Sequence, residues 1–277
     1  MTSEIIGLTQ WLETPPGKYL LAWEQLQFDQ AVSNIFGYHA LQLGLSELNT
    51  LAGNRMPHQW LAATSSAATS NHKSVDETLK ILASSPETSQ SPESLPGRTA
   101  LFTDAHALPF AANSLDLLVL PHTLELSGDP HATLREAERV LVPEGRVVIS
   151  CLNPASLWAL RQRRGRFYQR LGRNDLFLPE AGEFIGYWRL RDWLRLLGFE
   201  VESARFGCYR PALKTEQWLA RFDWMDSAGQ RWWPIFGAVY FVVAVKRVRG
   251  MRLLEPAWKT RKVIANLPAT VANKKKN

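Results

Sequence analysis

The sequence predicts an α/β fold with a doubly wound, mostly parallel sheet and a C-terminal antiparallel strand. Three observations predict it. Strand-length apolar runs alternate with helix-spaced segments, a glycine closes the first run, and two further strand-like runs end the series. At 277 residues, with 45% apolar and 10% aromatic residues, the chain can bury one full core. One domain over 1–249 is expected, with a mobile insert at 84–97 and a basic, disordered tail at 250–277.

The elements follow in order. Tyr19, Leu20, Trp23 and Leu26 follow a PPG segment at helical spacing, and Phe28, Val32, Ile35 and Phe36 continue an apolar stripe, so a first long helix packs on the sheet. Tyr38 to Gly44 and His58 to Thr64 have the length of strands. Ser74 with Glu77 forms a capping box ahead of Val75, Leu79 and Leu82. The segment 84–97, SSPETSQSPESLPG, has almost nothing to bury and cannot offset the entropy of ordering. Arg98 to Phe102, Leu115 to Leu120 and Gly145 to Cys151 are the next strands, with a helix over His131 to Leu141. Leu190 to Leu197 is an amphipathic helix stopped by Gly198, before strands at Phe199 to Phe206 and Val239 to Lys246. Parallel neighbours need crossover connections, and the alternation supplies them.

Charge and cysteine usage narrow the class. The net charge is +6, yet the stretch from Lys246 onward holds ten Lys or Arg against Glu255 alone, so the preceding body sums to about −3. Cys151 and Cys208 form no close-spaced pair, which suggests neither a metal cluster nor a disulfide framework and fits a reducing, cytoplasmic compartment. The opening MTSEIIGLTQWLE carries acids where a secretory signal needs bases. The most apolar run, Ile235 to Val245, is shorter than the roughly 20 residues that span a bilayer, so no membrane span is expected.

Two ordered segments carry a resemblance. DAHALPFAANSLDLLVLPHTLE supplies Asp104, Ala105, Leu108, Pro109, Phe110, Ser114, Asp116, Leu117, His122, Leu124 and Glu125. LREAERVLVPEGRVVIS supplies Leu134, Arg135, Glu136, Arg139, Val140, Leu141, Pro143 and Gly145. Over about fifty residues this resembles the methyltransferase type 11 group of class I S-adenosylmethionine-dependent methyltransferases. The resemblance implies a Rossmann-like fold and S-adenosylmethionine as cofactor. Much of the match is packing.

In such a fold the cofactor lies outside the carboxyl ends of strands where the sheet order reverses, so the first and fourth strands should flank it. The resemblance places Gln42, Leu43 and Gly44 at the cofactor, with Gly44 a close-approach turn or simply a strand-ending glycine. Asp104 would accept from the adenine amino group and Ala105 would leave room for the ring, unless Asp104 only caps a turn. Pro121 and His122 should line the site, with His122 a cofactor wall, a base or a structural histidine. Asp116 begins its strand, which puts it at the far end and in a structural role.

Departures are visible. Gln42 stands where the group commonly has Asp, Ser46 and Leu48 where it has further glycines, and Ala62 to Ser66 offers no acid for the ribose hydroxyls. Beyond the fifth strand, WALRQRRGRFYQRLGR holds six arginines and no acid, which suits a lid, an RNA surface or a solvated helix face. Six tryptophans (188, 193, 218, 224, 232 and 233) would wall an acceptor pocket or fill a core between the last strands. The expected function is methyl transfer to an unidentified acceptor. The alternative is a non-catalytic protein of the same fold that binds a partner or RNA through its arginines and tail.

Overall fold

The computed structural model describes residues 8–64, 98–169, 177–178 and 184–248. The helix expected after Ser74, the insert at 84–97 and the tail at 250–277 lie outside these residues.

Seven strands form one sheet: β1 (His39–Leu43), β2 (His58–Thr64), β3 (Arg98–Thr103), β4 (Leu115–Pro121), β5 (Leu141–Leu152), β6 (Phe199–Gly207) and β7 (Val239–Lys246). Their order is β3-β2-β1-β4-β5-β7-β6. β3, β2, β1, β4 and β5 pair in parallel, whereas β7 lies antiparallel between β5 and β6. The chain runs outward from β1 to β3 and then returns to β4 on the other side of β1. That reversal puts the switch point of the sheet, the crevice where such folds bind ligands, at the carboxyl ends of β1 and β4.

The central strands are apolar on both sides because both faces are covered. Ala40, Leu117, Val119, Phe241 and Val243 face one core, and Leu41, Leu43, Leu118, Leu120 and Val242 face the other. Against the first core pack α1 (Leu8–Leu12), α2 (Pro15–Val32) and α5 (Leu157–Gln169), with Phe28 of α2 edge-on to Phe241 at 4.9 Å. Against the second pack α3 (Thr123–Leu126), α4 (Pro130–Val140) and α6 (Tyr187–Leu196). α4 starts cleanly because Asp129 accepts from Ala132 N at 3.0 Å and Pro130 fills the first turn. Its end is closed by the buried Lys246 Nζ, which donates to Glu138 O and Leu141 O at 2.6 and 2.9 Å.

The stripe on α2 and the packing of the late tryptophans differ from the sequence expectation, whereas the sequence assigns no element to the β1–β2 crossover and the arginine-rich segment has the solvated helix face that is one of its readings. In α2 the buried face is Leu20, Glu24, Gln27, Phe28 and Val32, while Leu26, and Phe36 beyond the helix, are exposed, so the stripe includes two polar residues. The crossover from β1 to β2, residues 44–57, contains no helix. It packs instead through Leu45, Leu48, Leu51 and Met56. The arginine-rich segment is helical from Leu157, with Trp158 buried and Arg163, Arg164 and Arg166 exposed. Of the six late tryptophans only Trp193 is substantially covered, so they do not fill a core between the last strands. Two short helices, α7 (Glu216–Arg221) and α8 (Trp224–Trp232), carry three of the exposed ones.

Candidate functional site

The crevice begins at Gly44. Its φ of +95° is a left-handed value that side chains resist, and a Cβ there would stand 2.7 Å from Thr123 Oγ1. Gly44 N donates to Ala62 O at 2.8 Å, and the Thr123 hydroxyl donates across the crevice to Leu43 O. These bonds fasten the ends of β1, β2 and β4 to one another. The glycine is demanded by the chain itself, because Thr123 occupies the space its side chain would need.

Gln42 explains how a loop without a helix keeps its shape. Its buried amide donates to Leu45 O and Leu48 O, both at 2.7 Å, and accepts from Thr50 N and Thr50 Oγ1 at 3.2 and 2.8 Å. An aspartate would be too short for these bonds and has no N–H to give. The loop therefore depends on a residue type that the group does not commonly have there. The neighbouring Ser46 and Glu47 are exposed at its rim.

On the other side stands a cluster of titratable groups. His122 adopts φ +52° directly after β4, and its backbone N–H donates to Ser150 O at 3.0 Å. Its ring is buried. Nε2 lies 2.9 Å from Glu24 Oε1 and Nδ1 lies 3.4 Å from Glu125 Oε2, and both carboxylates are buried as well. Burial alone pulls the imidazole pKa down, but the carboxylates of Glu24 and then Glu125 outweigh it and hold His122 well above the usual histidine range. Glu125 is further tied by Leu152 N, which donates to its Oε1. Glu24 is different. Apart from the 2.9 Å contact of Oε1 with Nε2, its oxygens are buried with no hydrogen-bond donor among the described residues, and the Ser150 hydroxyl is buried without a partner there. Such groups carry a desolvation cost that a ligand or water would relieve.

Asp104 follows β3 and is largely exposed. Hydrogen bonds from the His106 side chain and then its backbone N–H hold its carboxyl below the usual range. His106 Nε2 accepts from Asp129 N at 3.2 Å, so the ring proton sits on Nδ1 and is given to Asp104 at 2.6 Å. The adjacent Ala105 is buried, as are Leu43, Pro121, Thr123 and Leu124. Asp116 lies at the opposite end of the sheet, where Oδ2 accepts from Tyr38 N and His39 N at 2.8 and 3.0 Å. Glu136 and Arg139 likewise clamp the loop at Leu108 and Phe110. These shared motif residues are architecture. Glu24 is the site residue that sequence reasoning missed, and its one visible signal was an acid within the span of an apolar helical stripe.

Residues 52–149 match the methyltransferase domain family. Over 100 residues, 36% of the chain, it is 42% identical to the uncharacterized protein YafS of Escherichia coli K12, covering 39% of that protein. It is 32% identical over 100 residues to the biotin biosynthesis bifunctional protein BioHC of Saccharophagus degradans, covering 18% of it. The chain thus spans less than half the length of these relatives. Among solved structures, a Haloferax volcanii complex of the Trm112 methyltransferase activator and a putative methyltransferase superposes with a TM-score of 0.53 at 14% identity, covering 90% of this chain and 100% of that one. A Bacillus protein, YcgJ, gives 0.51 at 13% identity over 82% of this chain and 100% of the other. At such identities the structural likeness concerns the fold.

Proposed function

We propose, from residues 52–149 carrying a methyltransferase domain of the type 11 family, that the chain transfers a methyl group from S-adenosylmethionine to an unidentified acceptor. The observation that carries this reading is the contribution of the matched segment to the crevice. It supplies β4 and the turn from Pro121 to Glu125, which faces Gly44 where the sheet order reverses.

The residues present suit this cofactor at two points. Asp104, exposed beside the small Ala105, can accept from an adenine amino group. The acidic side chains of Glu24 and Glu125, gathered about His122 at this end of the sheet, suit a cationic sulfonium nearby. When bound, the cofactor supplies an electrophilic methyl carbon. The chain has to align a nucleophile with it, which is chiefly a matter of orientation. Gln42 holds the loop after β1, and the Thr123 hydroxyl, packed on Gly44 and bonded to Leu43 O, fixes the base of that loop. Pro121 and the backbone of His122 form the facing wall. A histidine that keeps its proton is a poor base, so His122 serves as a fixed cation that orders Glu24 and Glu125. Glu24, paired with that cation at 2.9 Å and fully buried, helps to fix the imidazolium beside the crevice. Over 59 residues the chain is 44% identical to a malonyl-[acyl-carrier protein] O-methyltransferase of Gallionella capsiferriformans, 21% of this chain and 20% of that one. Carboxylic acids are therefore the first acceptors to assay.

A non-catalytic reading draws on the helix-free loop at 44–57 and on the lack of an acid at Ala62, Ala63 or Thr64. Calorimetric titration of the purified chain with S-adenosylmethionine and S-adenosylhomocysteine separates the two. Saturable heat supports methyl transfer, and none at millimolar ligand overturns it.

A further inference from the structure

The segment between β6 and β7 is unusual for a surface. β5 and β6 both lie antiparallel to β7, so residues 208–238 emerge at the same end of the sheet as the crevice. Trp218, Trp224, Trp232, Trp233, Ile235 and Phe236 are all exposed there, Trp232 at 74%. The last four belong to one turn, since Trp232 ends α8 and Pro234–Phe236 form a 3-10 helix.

That turn is fastened from beneath. Asn153, just after β5, donates to Ile235 O and Gly237 O at 2.7 and 2.9 Å. Tyr209 OH donates to Pro234 O at 2.8 Å, and Ala238 N to Cys208 O at 3.0 Å. With the backbone so held, the rings have no route into the core. Clustered apolar side chains presented this way mark an interaction site.

Positive charge surrounds them. α5 is tied to the same segment through Trp158 Nε1, which donates to Arg210 O at 2.8 Å, and it exposes Arg163, Arg164 and Arg166. Lys214, Arg221 and Arg231 are exposed among the tryptophans. The exposed acids between Lys214 and Arg231 are Glu216 and Asp223, and Asp223 is paired with Arg210.

We propose that this face docks on an anionic lipid surface, with the Trp232–Phe236 turn inserted at the headgroup level and the arginines on the lipid charges. Tryptophan is the side chain that suits a boundary apolar on one side and wet on the other. Apolar insertion with basic flanks is how a protein lies on a bilayer without spanning it. Single-stranded RNA would also use rings and arginines, but the consecutive Pro234, Ile235 and Phe236 match hydrocarbon better than stacked bases. Docking there would turn the crevice end of the sheet toward the membrane. The inference stands apart from methyl transfer, since vesicle binding needs no cofactor.

The test is co-sedimentation of the full chain with vesicles of phosphatidylcholine alone and of phosphatidylcholine mixed with phosphatidylglycerol. Binding to the mixed vesicles, weakened by salt, is expected. Trp232→Ser and Phe236→Ser should each reduce it on the order of tenfold, while Arg163→Gln with Arg164→Gln should flatten the dependence on phosphatidylglycerol. Thermal melts must match the parent, as the exposure of these side chains predicts. Binding indifferent to the turn or to lipid charge would overturn the proposal. So would single-stranded RNA binding, or self-association in light scattering, that is lost in Trp232→Ser while vesicles are ignored.

Discussion

Glu24 of α2 and His122, the residue after β4, meet at 2.9 Å in the interior, and Glu125 closes the far side of the imidazole at 3.4 Å. This contact ties the first long helix to the crevice. Removing one member of a buried ion pair leaves the other uncompensated, so Glu24→Gln should lower stability by about 3 kcal/mol in urea denaturation. A fall below about 0.5 kcal/mol would show that the pair is not formed in solution.

The same cluster sets a pH dependence. His122 has a folded pKa raised well above its unfolded value near 6.5, so its stabilising contribution is complete below about pH 6.5 and is lost as pH rises through the folded pKa. Stability should decline on the alkaline side. In Glu24→Gln one of the two raising charges is gone, and the decline should begin at lower pH. Urea midpoints measured from neutral to alkaline pH, with the imidazole followed by NMR, check both statements.

The sheet was legible because its strands are buried on both sides and read as unbroken apolar runs, as in Val239 to Lys246. Asp116 was placed correctly from strand direction alone. Glu24 was not, because helical periodicity is read from apolar residues, and what makes this acid tolerable is a histidine distant in sequence. The helix-free crossover was hidden for a related reason. Its order comes from Gln42 bonding to Leu45, Leu48 and Thr50, and no local propensity announces such a side-chain anchor. Of the two roles the late tryptophans allowed, the core between the last strands fails, because aromatic content does not by itself mean burial.

Gln42 can be tested by charge. In Gln42→Glu an oxygen replaces the amide nitrogen that faces Leu45 O and Leu48 O at 2.7 Å, so the side chain must hold a proton or repel both carbonyls. The variant should lose about 2–4 kcal/mol at neutral pH and recover part of it in mild acid, where the carboxyl is protonated. Its titration with S-adenosylhomocysteine should weaken along with the loop. A variant as stable as the parent at neutral pH would show that the loop is held by its apolar contacts instead.

The crevice is tested by comparing Gly44→Val with Asp116→Ala. At Gly44 a branched side chain meets both a left-handed φ and the Thr123 hydroxyl, so about 1–3 kcal/mol of strain is expected and the bond from Thr123 to Leu43 O must break. Binding of S-adenosylhomocysteine should then fall steeply even where circular dichroism shows a folded chain. Asp116→Ala removes the acceptor for Tyr38 N and His39 N at the other end of β1, which should lower stability by about 1–2 kcal/mol. Binding in that variant should stay within about twofold of the parent, because the lost bonds lie a full strand length from the crevice. Strand direction is what separates the two outcomes. If folded Gly44→Val binds normally and Asp116→Ala does not, the cofactor lies at the opposite end of the sheet, and the roles given to Gln42, Asp104 and His122 fall with it.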